Sequence, residues 1–263
     1  MSAAFVVLAL HQTPARNALA PMAVGIPALR RILTLLSRRG YRFVGLDAVV
    51  PGGLPDRTAT VTVDDGYASN ARHLSPLLRE LGIPWTVFIS VAAMGRANTW
   101  DVRWVGQRER HLTRDEVRTL AREGVRVGSH GMEHEDLTKK AGAVPLAESL
   151  ASSRAELEAI TERPVDAIAY PWGRVDARVA AAAQCAGYRV GFSLSEGRRM
   201  PSALAGMAIP RTSVYAPDQI LALFDTTAPW SPRPCRAVRA AMTRTGRALV
   251  ETALAVRRLG GGR

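Results

Sequence analysis

Cysteine is scarce in this sequence: Cys185 and Cys235 are the only two, in helical or linker-like stretches with no paired spacing. That excludes a thiolate zinc cluster and a disulfide framework, and it fits a reducing compartment. No apolar run approaches the roughly 18 residues of a membrane-spanning helix. No basic residue precedes the short run Phe5 to Leu10, and the polar His11-Gln12-Thr13 follows it where a cleavage segment would stand. The run therefore predicts a first strand and not an export signal. The expected location is the cytoplasm, either free or peripheral to the inner face of the membrane. Internal repeats and low-complexity segments are missing, as is a glycine-rich phosphate loop after the first strand. Acid is missing from the first 40 residues, which hold five Arg, and nearly so from residues 229–263, where eight Arg face only Glu251. Residues 41–228 balance, so the net charge of +12 belongs to the two ends. A basic surface speaks to phosphate, of nucleic acid, lipid or substrate, without choosing among them.

What is present is an alternation. Helical periodicity over Ile26 to Arg39 places Leu29, Ile32, Leu35 and Leu36 on one face. Tyr41 to Leu46 reads as a short strand and Ala59 to Val63 as a buried one. Helices are then predicted over Ala71 to Leu81, Thr113 to Glu123, Pro145 to Thr161 and Asp176 to Ala186. Strands are predicted over Trp85 to Ser90, Val125 to Ser129, Ala167 to Tyr170, Tyr188 to Leu194 and Met207 to Arg211. Thr113 with Glu116 forms a capping box. About seven strands alternating with helices predict an α/β fold of parallel strands, as a barrel or part-barrel. Residues 1–228 form one catalytic domain in this reading. The proline-rich Pro229-Trp230-Ser231-Pro232-Arg233-Pro234 then separates a tail, 229–263. In it Val238, Met242, Leu249, Val256 and Leu259 recur at helical steps with arginines off the stripe. That stripe fits either packing on the barrel or a basic amphipathic helix on an anionic membrane.

Three strand ends carry polar or aromatic groups. Ala59-Thr-Val-Thr-Val-Asp-Asp-Gly-Tyr67 stops an apolar run on Asp64 and Asp65. Successive side chains alternate faces, so the two carboxylates have different jobs unless the strand bends there. Taken alone, the tripeptide Asp64-Asp65-Gly66 reads first as a polar turn after a strand. Val125 to His134 ends on His130 and His134, which a helical turn would set on one side as two nitrogen ligands, and which a solvated pair would also satisfy. Glu133 and Glu135 face away from that side. Ala169-Tyr170-Pro171-Trp172-Gly173 reads as a pocket wall, with a glycine that lets backbone approach a ligand, or as a core turn. In a parallel α/β fold all these ends share one face.

Together these segments resemble the polysaccharide deacetylases with the NodB homology domain, over about His11 to Arg211. Thr62-Val-Asp-Asp-Gly66 is similar to the first family motif, Ser129-His-x-x-x-His134 to the second and Ala169-Tyr-Pro-Trp-Gly173 to the third. The resemblance implies a distorted (β/α) barrel and a metal-dependent hydrolase that removes acetyl groups from sugars. It implies Asp65, His130 and His134 as ligands of a divalent metal, zinc by ligand type with iron, cobalt or nickel acceptable. It implies Asp64 as general base, and Trp172 at the oxyanion, with Tyr170 and Tyr67 beside the substrate. Two departures stand out. Ala169 occupies the place where many members carry the arginine that holds the base, and Arg211 is the nearest replacement. No histidine follows His134, so His11, at the mouth of strand one, is the candidate general acid. His73 and His111 are expected on the surface. The expected substrate is an acetylated sugar of a glycan or glycoconjugate. The alternatives are a lipid-linked or small-molecule sugar, deacetylated or deformylated, and a silent sugar- or nucleic-acid-binding protein; the intact site argues against the last, and no nucleic-acid partner is expected.

Overall fold

The computed structural model of the chain describes residues 5–16, 22–48, 57–101, 109–194 and 206–214. The basic tail 229–263 and Cys235 lie outside the described residues. Among the latter, no helix is long and apolar enough to cross a membrane.

The strands are β1 (Val6–Leu10), β2 (Arg42–Phe43), β3 (Thr58–Val63), β4 (Trp85–Ile89), β5 (Arg126–Ser129), β6 (Ala167–Ala169), β7 (Val190–Ser193), β8 (Ile209–Pro210) and β9 (Thr212–Ser213). The helices between them are α1 (Ile26–Arg38), α2 (Ser75–Glu80), α3 (Arg114–Arg122), α4 (Ala143–Thr161) and α5 (Ala177–Cys185). Every strand pairing is parallel, in the order β8-β7-β6-β5-β4-β3-β1-β9, with β2 on β3. The two outermost strands are halves of one extended segment. Ile209–Pro210 lies on β7 and Thr212–Ser213 on β1, so this segment meets both edges of the sheet and nearly closes a barrel. The expected single last strand over Met207 to Arg211 is thus two short strands that part at Arg211, which raises the strand count above seven.

The period of two along each strand sorts side chains into two cores. Leu8, Leu10, Val61, Val63 and Ile168 face the helices and pack in a large cluster with Leu29 and Leu33 of α1, Val117 of α3 and Leu150 of α4. Val7, Phe88, Ala167, Ala169 and Phe192 form a small cluster on the other face. The barrel interior is therefore lined by small and polar groups around two phenyl rings, with Thr58, Thr60, Thr62 and Thr86 also buried. That leaves room at its upper end for charged side chains.

Helix signals act as expected at α3, where the Thr113 hydroxyl accepts from the Glu116 N–H and the Glu116 carboxylate accepts from the Thr113 N–H. The helix predicted from Ala71 differs. Its first part is a π turn, Asn70–Leu74, before α2. Asn70 is fully buried with its amide 2.8 Å from the hydroxyl of Thr13, in the segment after β1, so this turn follows a tertiary contact and not helical periodicity.

Candidate active site

β3 ends at Val63, and the Asp64 N–H still donates to Leu10 O at 2.8 Å, in strand fashion. Asp64 thereby continues the inward face of Thr58, Thr60 and Thr62. There it meets Arg211, whose Nη1 and Nη2 donate to its two carboxylate oxygens at 2.7 Å each. Nη1 also donates to Thr62 Oγ1 at 3.0 Å. The guanidinium lies inside the barrel, 5.6 Å from the Phe88 ring centre and 5.9 Å from that of Phe192. Arg211 and Asp64 are each only 1% exposed. Burial alone would raise the Asp64 carboxyl, but the charges of Arg211 and His130 and the hydrogen bonds from Arg211 outweigh it and hold the group below the ordinary range.

The next residue turns away. Asp65 has φ 67° and Gly66 φ 62°, so the chain bends at the point where two adjacent carboxylates would otherwise face opposite sides. The Asp65 Oδ1 atom sits 3.1 Å from His134 Nε2 and 3.4 Å from His130 Nε2. All three residues are buried, and one ligand atom from each lies within 4.8 Å of the others. Burial opposes the Asp65 charge, yet His134 and His130 hold its carboxyl well below the usual range. Burial also pushes the His134 imidazole down, toward the neutral form that binds metals. The donor set therefore fits a divalent ion: a buried Oδ1 without a hydrogen bond faces two Nε2 atoms. At His130 the other nitrogen, Nδ1, donates to Ala169 O at 2.7 Å, so Nε2 is the nitrogen turned to Asp65.

The helical turn expected for His130 to His134 is not formed. The chain loops, with Gly131 at φ 78° and His134 at φ 53°, and this bend brings the rings to centroids 5.0 Å apart. Glu133 and Glu135 are exposed and pair with Lys140, away from the trio.

Around this centre His11 Nε2 stands 4.0 Å from Asp64 Oδ2, at the end of β1. The Trp172 ring lies 5.0 Å from that of His134, on a backbone turned to φ 61°. Tyr67 is fully buried, and its hydroxyl donates to Asp101 Oδ2 at 2.5 Å. Tyr170 is placed otherwise than expected. It packs in the helix-side core, and its hydroxyl lies against Gly191, so its side chain is not a wall of the site. His111 is a correction too: expected on the surface, it is 1% exposed, with Nδ1 donating to Asp65 O at 2.8 Å and its ring stacked on Tyr67. Two residues that sequence reading missed also reach the site. Trp100 stacks on His134 with centroids 4.3 Å apart, and Asp101 takes bonds from Tyr67 and Gln12. Neither belongs to a motif, and no local pattern marks them.

Fold and site together define an α/β barrel with a buried carboxylate and imidazole centre at the carboxyl ends of its strands. The family model for polysaccharide deacetylase matches residues 52–191, more than half of the chain, and the chain belongs to that family. YxkH of Bacillus subtilis (strain 168), named for the same family, is 25% identical over 144 residues, which are 54% of this chain and 46% of that protein. The match thus spans about half the length of that relative. Among solved structures, IcaB from Ammonifex degensii superposes with a TM-score of 0.67 at 22% identity, over 85% of this chain and 97% of its own. The Streptococcus pyogenes deacetylase PplD, solved in complex with acetate, gives 0.67 at 19% identity, over 86% and 100%. At these identities the likeness is one of fold.

Proposed function

We propose that the chain is a metal-dependent hydrolase that removes an acetyl group from an N-acetylated or O-acetylated sugar of a glycan or glycoconjugate. The observation that carries this reading is the division of labour between two adjacent carboxylates: Asp65 faces two imidazoles, while Asp64 is clamped by Arg211. Asp65, His130 and His134 would hold a divalent ion, and zinc suits them by type. The chemistry such an ion supplies when bound is Lewis acidity toward an acetyl carbonyl and toward water.

The protein's own groups do the rest. Asp64 accepts the proton that water sheds as it attacks the carbonyl carbon, and Arg211 keeps both its oxygens aligned and the carboxylate ionised. His11, 4.0 Å from Asp64 Oδ2, hands a proton to the sugar nitrogen or oxygen as its bond to the acyl carbon breaks. The turned backbone at Trp172 is the proposed donor to the oxygen on which charge gathers. The products are acetate and a free sugar amine or hydroxyl.

The test is acetate release by the zinc- or cobalt-loaded protein from acetylated monosaccharides, oligosaccharides and sugar lipids. Turnover is expected with at least one class, abolished by a chelator and restored by metal. Asp64→Asn should keep its metal and lose activity by about 10²–10⁴-fold. No acetate from any class, with metal bound in full, would overturn the reading.

A further inference from the structure

A ligand imidazole in a metal site is ordinarily oriented by a hydrogen bond from its second ring nitrogen. His130 has one, to Ala169 O. His134 does not: its Nδ1 is buried, and among the described residues no acceptor meets it. Two indoles meet its ring: Trp100 lies nearly parallel to it, at 10° and 4.3 Å between centroids, and Trp172 is tilted at 59° and 5.0 Å, so the flat contact is that of Trp100. Trp100 Nε1 is likewise buried without an acceptor among the described residues, so the indole is held by its faces. On one side of it lies His134. On another lies His111, 4.7 Å away, itself stacked on Tyr67 at 4.7 Å. Through its Nδ1–H, His111 bonds the carbonyl of Asp65, the residue whose left-handed backbone delivers the third ligand. The loop that carries Trp100 is itself tied down, because Asn98 Oδ1 accepts from the N–H groups of Trp100 and Asp101 at 2.9 and 3.1 Å.

We propose that Trp100 is a positioning residue of the metal centre. Its flat face orients the His134 imidazole in place of the missing hydrogen bond, and His111 couples the same ring column to Asp65. This rests on the reading of Asp65, His130 and His134 as one metal site. The physical reason is that an unanchored buried imidazole can turn about its side-chain torsions, whereas one pressed against an indole keeps Nε2 aimed at the ion. A column of rings also spans two residues of the centre that are far apart in sequence, so both are held by one packed unit.

The test is cobalt(II) binding to the full chain, read by chelator competition and by the visible absorption of the bound ion, which reports ligand geometry. Trp100→Leu is expected to bind cobalt about 10- to 100-fold more weakly, with an altered spectrum. Trp100→Phe, which keeps a ring face, should recover most of the affinity. His111→Phe keeps the stack and removes only the bond to Asp65; it is expected to weaken binding by about tenfold, and it serves as an independent arm should Trp100→Leu not fold. Wild-type affinity and spectrum in Trp100→Leu would overturn the positioning role, and so would equal losses in Trp100→Leu and Trp100→Phe. Wild-type affinity in His111→Phe would overturn the coupling to Asp65. Wild-type protein that binds no cobalt, or His134→Ala that binds it normally, would overturn the metal-site reading itself, a separate outcome.

Discussion

Asp64 and Arg211 are 147 residues apart, and they form a buried ion pair joined at both carboxylate oxygens. Removing one partner of a buried ion pair leaves the other charged and unsolvated, which costs about 3–5 kcal/mol. Arg211→Ala should therefore lower the urea midpoint, and it should reduce turnover by less than Asp64→Asn, since the base remains. Arg211→Lys should rescue stability in part but not the two-point alignment, because a lysine cannot donate to both oxygens in the fixed fork of a guanidinium. Asp101 carries a different expectation. Burial, then the charge of Asp65, push its carboxyl up to about 6, against the pull of His11 and the bonds from Tyr67 and Gln12. An acid raised in the folded state keeps its proton while the unfolded chain, with its usual value of 3.8, has lost it. The Asp101 contribution to the stability of the metal-free protein should thus fall as pH rises from 3.8 to 6 and level off above. Asp101→Asn should flatten that slope, as measured by urea unfolding at steps across this window.

At the scale of the element, the loops after the strands decide the site. Gly173 reads as a point of backbone approach to a ligand or as part of a core turn, and the space beside its Cα is filled by the protein: a Cβ there would lie 2.5 Å from Leu194 N, at φ 64°. Since the obstacle is backbone and the conformation left-handed, Gly173→Ala should destabilise by about 1–3 kcal/mol. It should also lower turnover by displacing Trp172, and an unchanged thermal midpoint would contradict this. The loop His130 to His134 teaches a related lesson. A spacing of four reads as a helical turn, yet left-handed backbone at Gly131 and His134 brings the imidazoles together instead. The spacing alone fits a ligand pair or a solvated pair, and it is the loop conformation, which the spacing does not predict, that brings both imidazoles to Asp65.

For the whole molecule, the segment Ile209 to Ser213 is what makes a barrel of a sheet. Its first half lies on β7, its second on β1, and Arg211 projects between them into the interior. The Val214 N–H donates to Ala9 O at 2.9 Å and holds the second half in place. Val214→Pro removes that donor and strands a buried acceptor, a loss of about 1–3 kcal/mol. Because Arg211 is fixed by the same segment, turnover should fall along with the urea midpoint. Full activity in this variant would mean that Arg211 does not depend on closure.

Much of this was legible in the chain itself, for a local reason. Strand alternation, the Thr113 capping box, and the acid or imidazole that ends a strand are set by neighbours within a few residues, so they could be read without the fold. Parallel strands then send their carboxyl ends to one face, and this is why Asp64, Asp65, His11, His130 and His134 could be grouped in advance. What no local pattern encodes is contact between segments distant in sequence. The resemblance offers Arg211 as the partner of Asp64, but only the tertiary structure decided between that place inside the barrel and the surface, and decided that Tyr170 turns toward the helices. It also decided that His111 is buried beneath Asp65, and that Trp100 and Asp101 join the site. Each of these follows from which strand edges meet and which side chains the closed interior has room to admit.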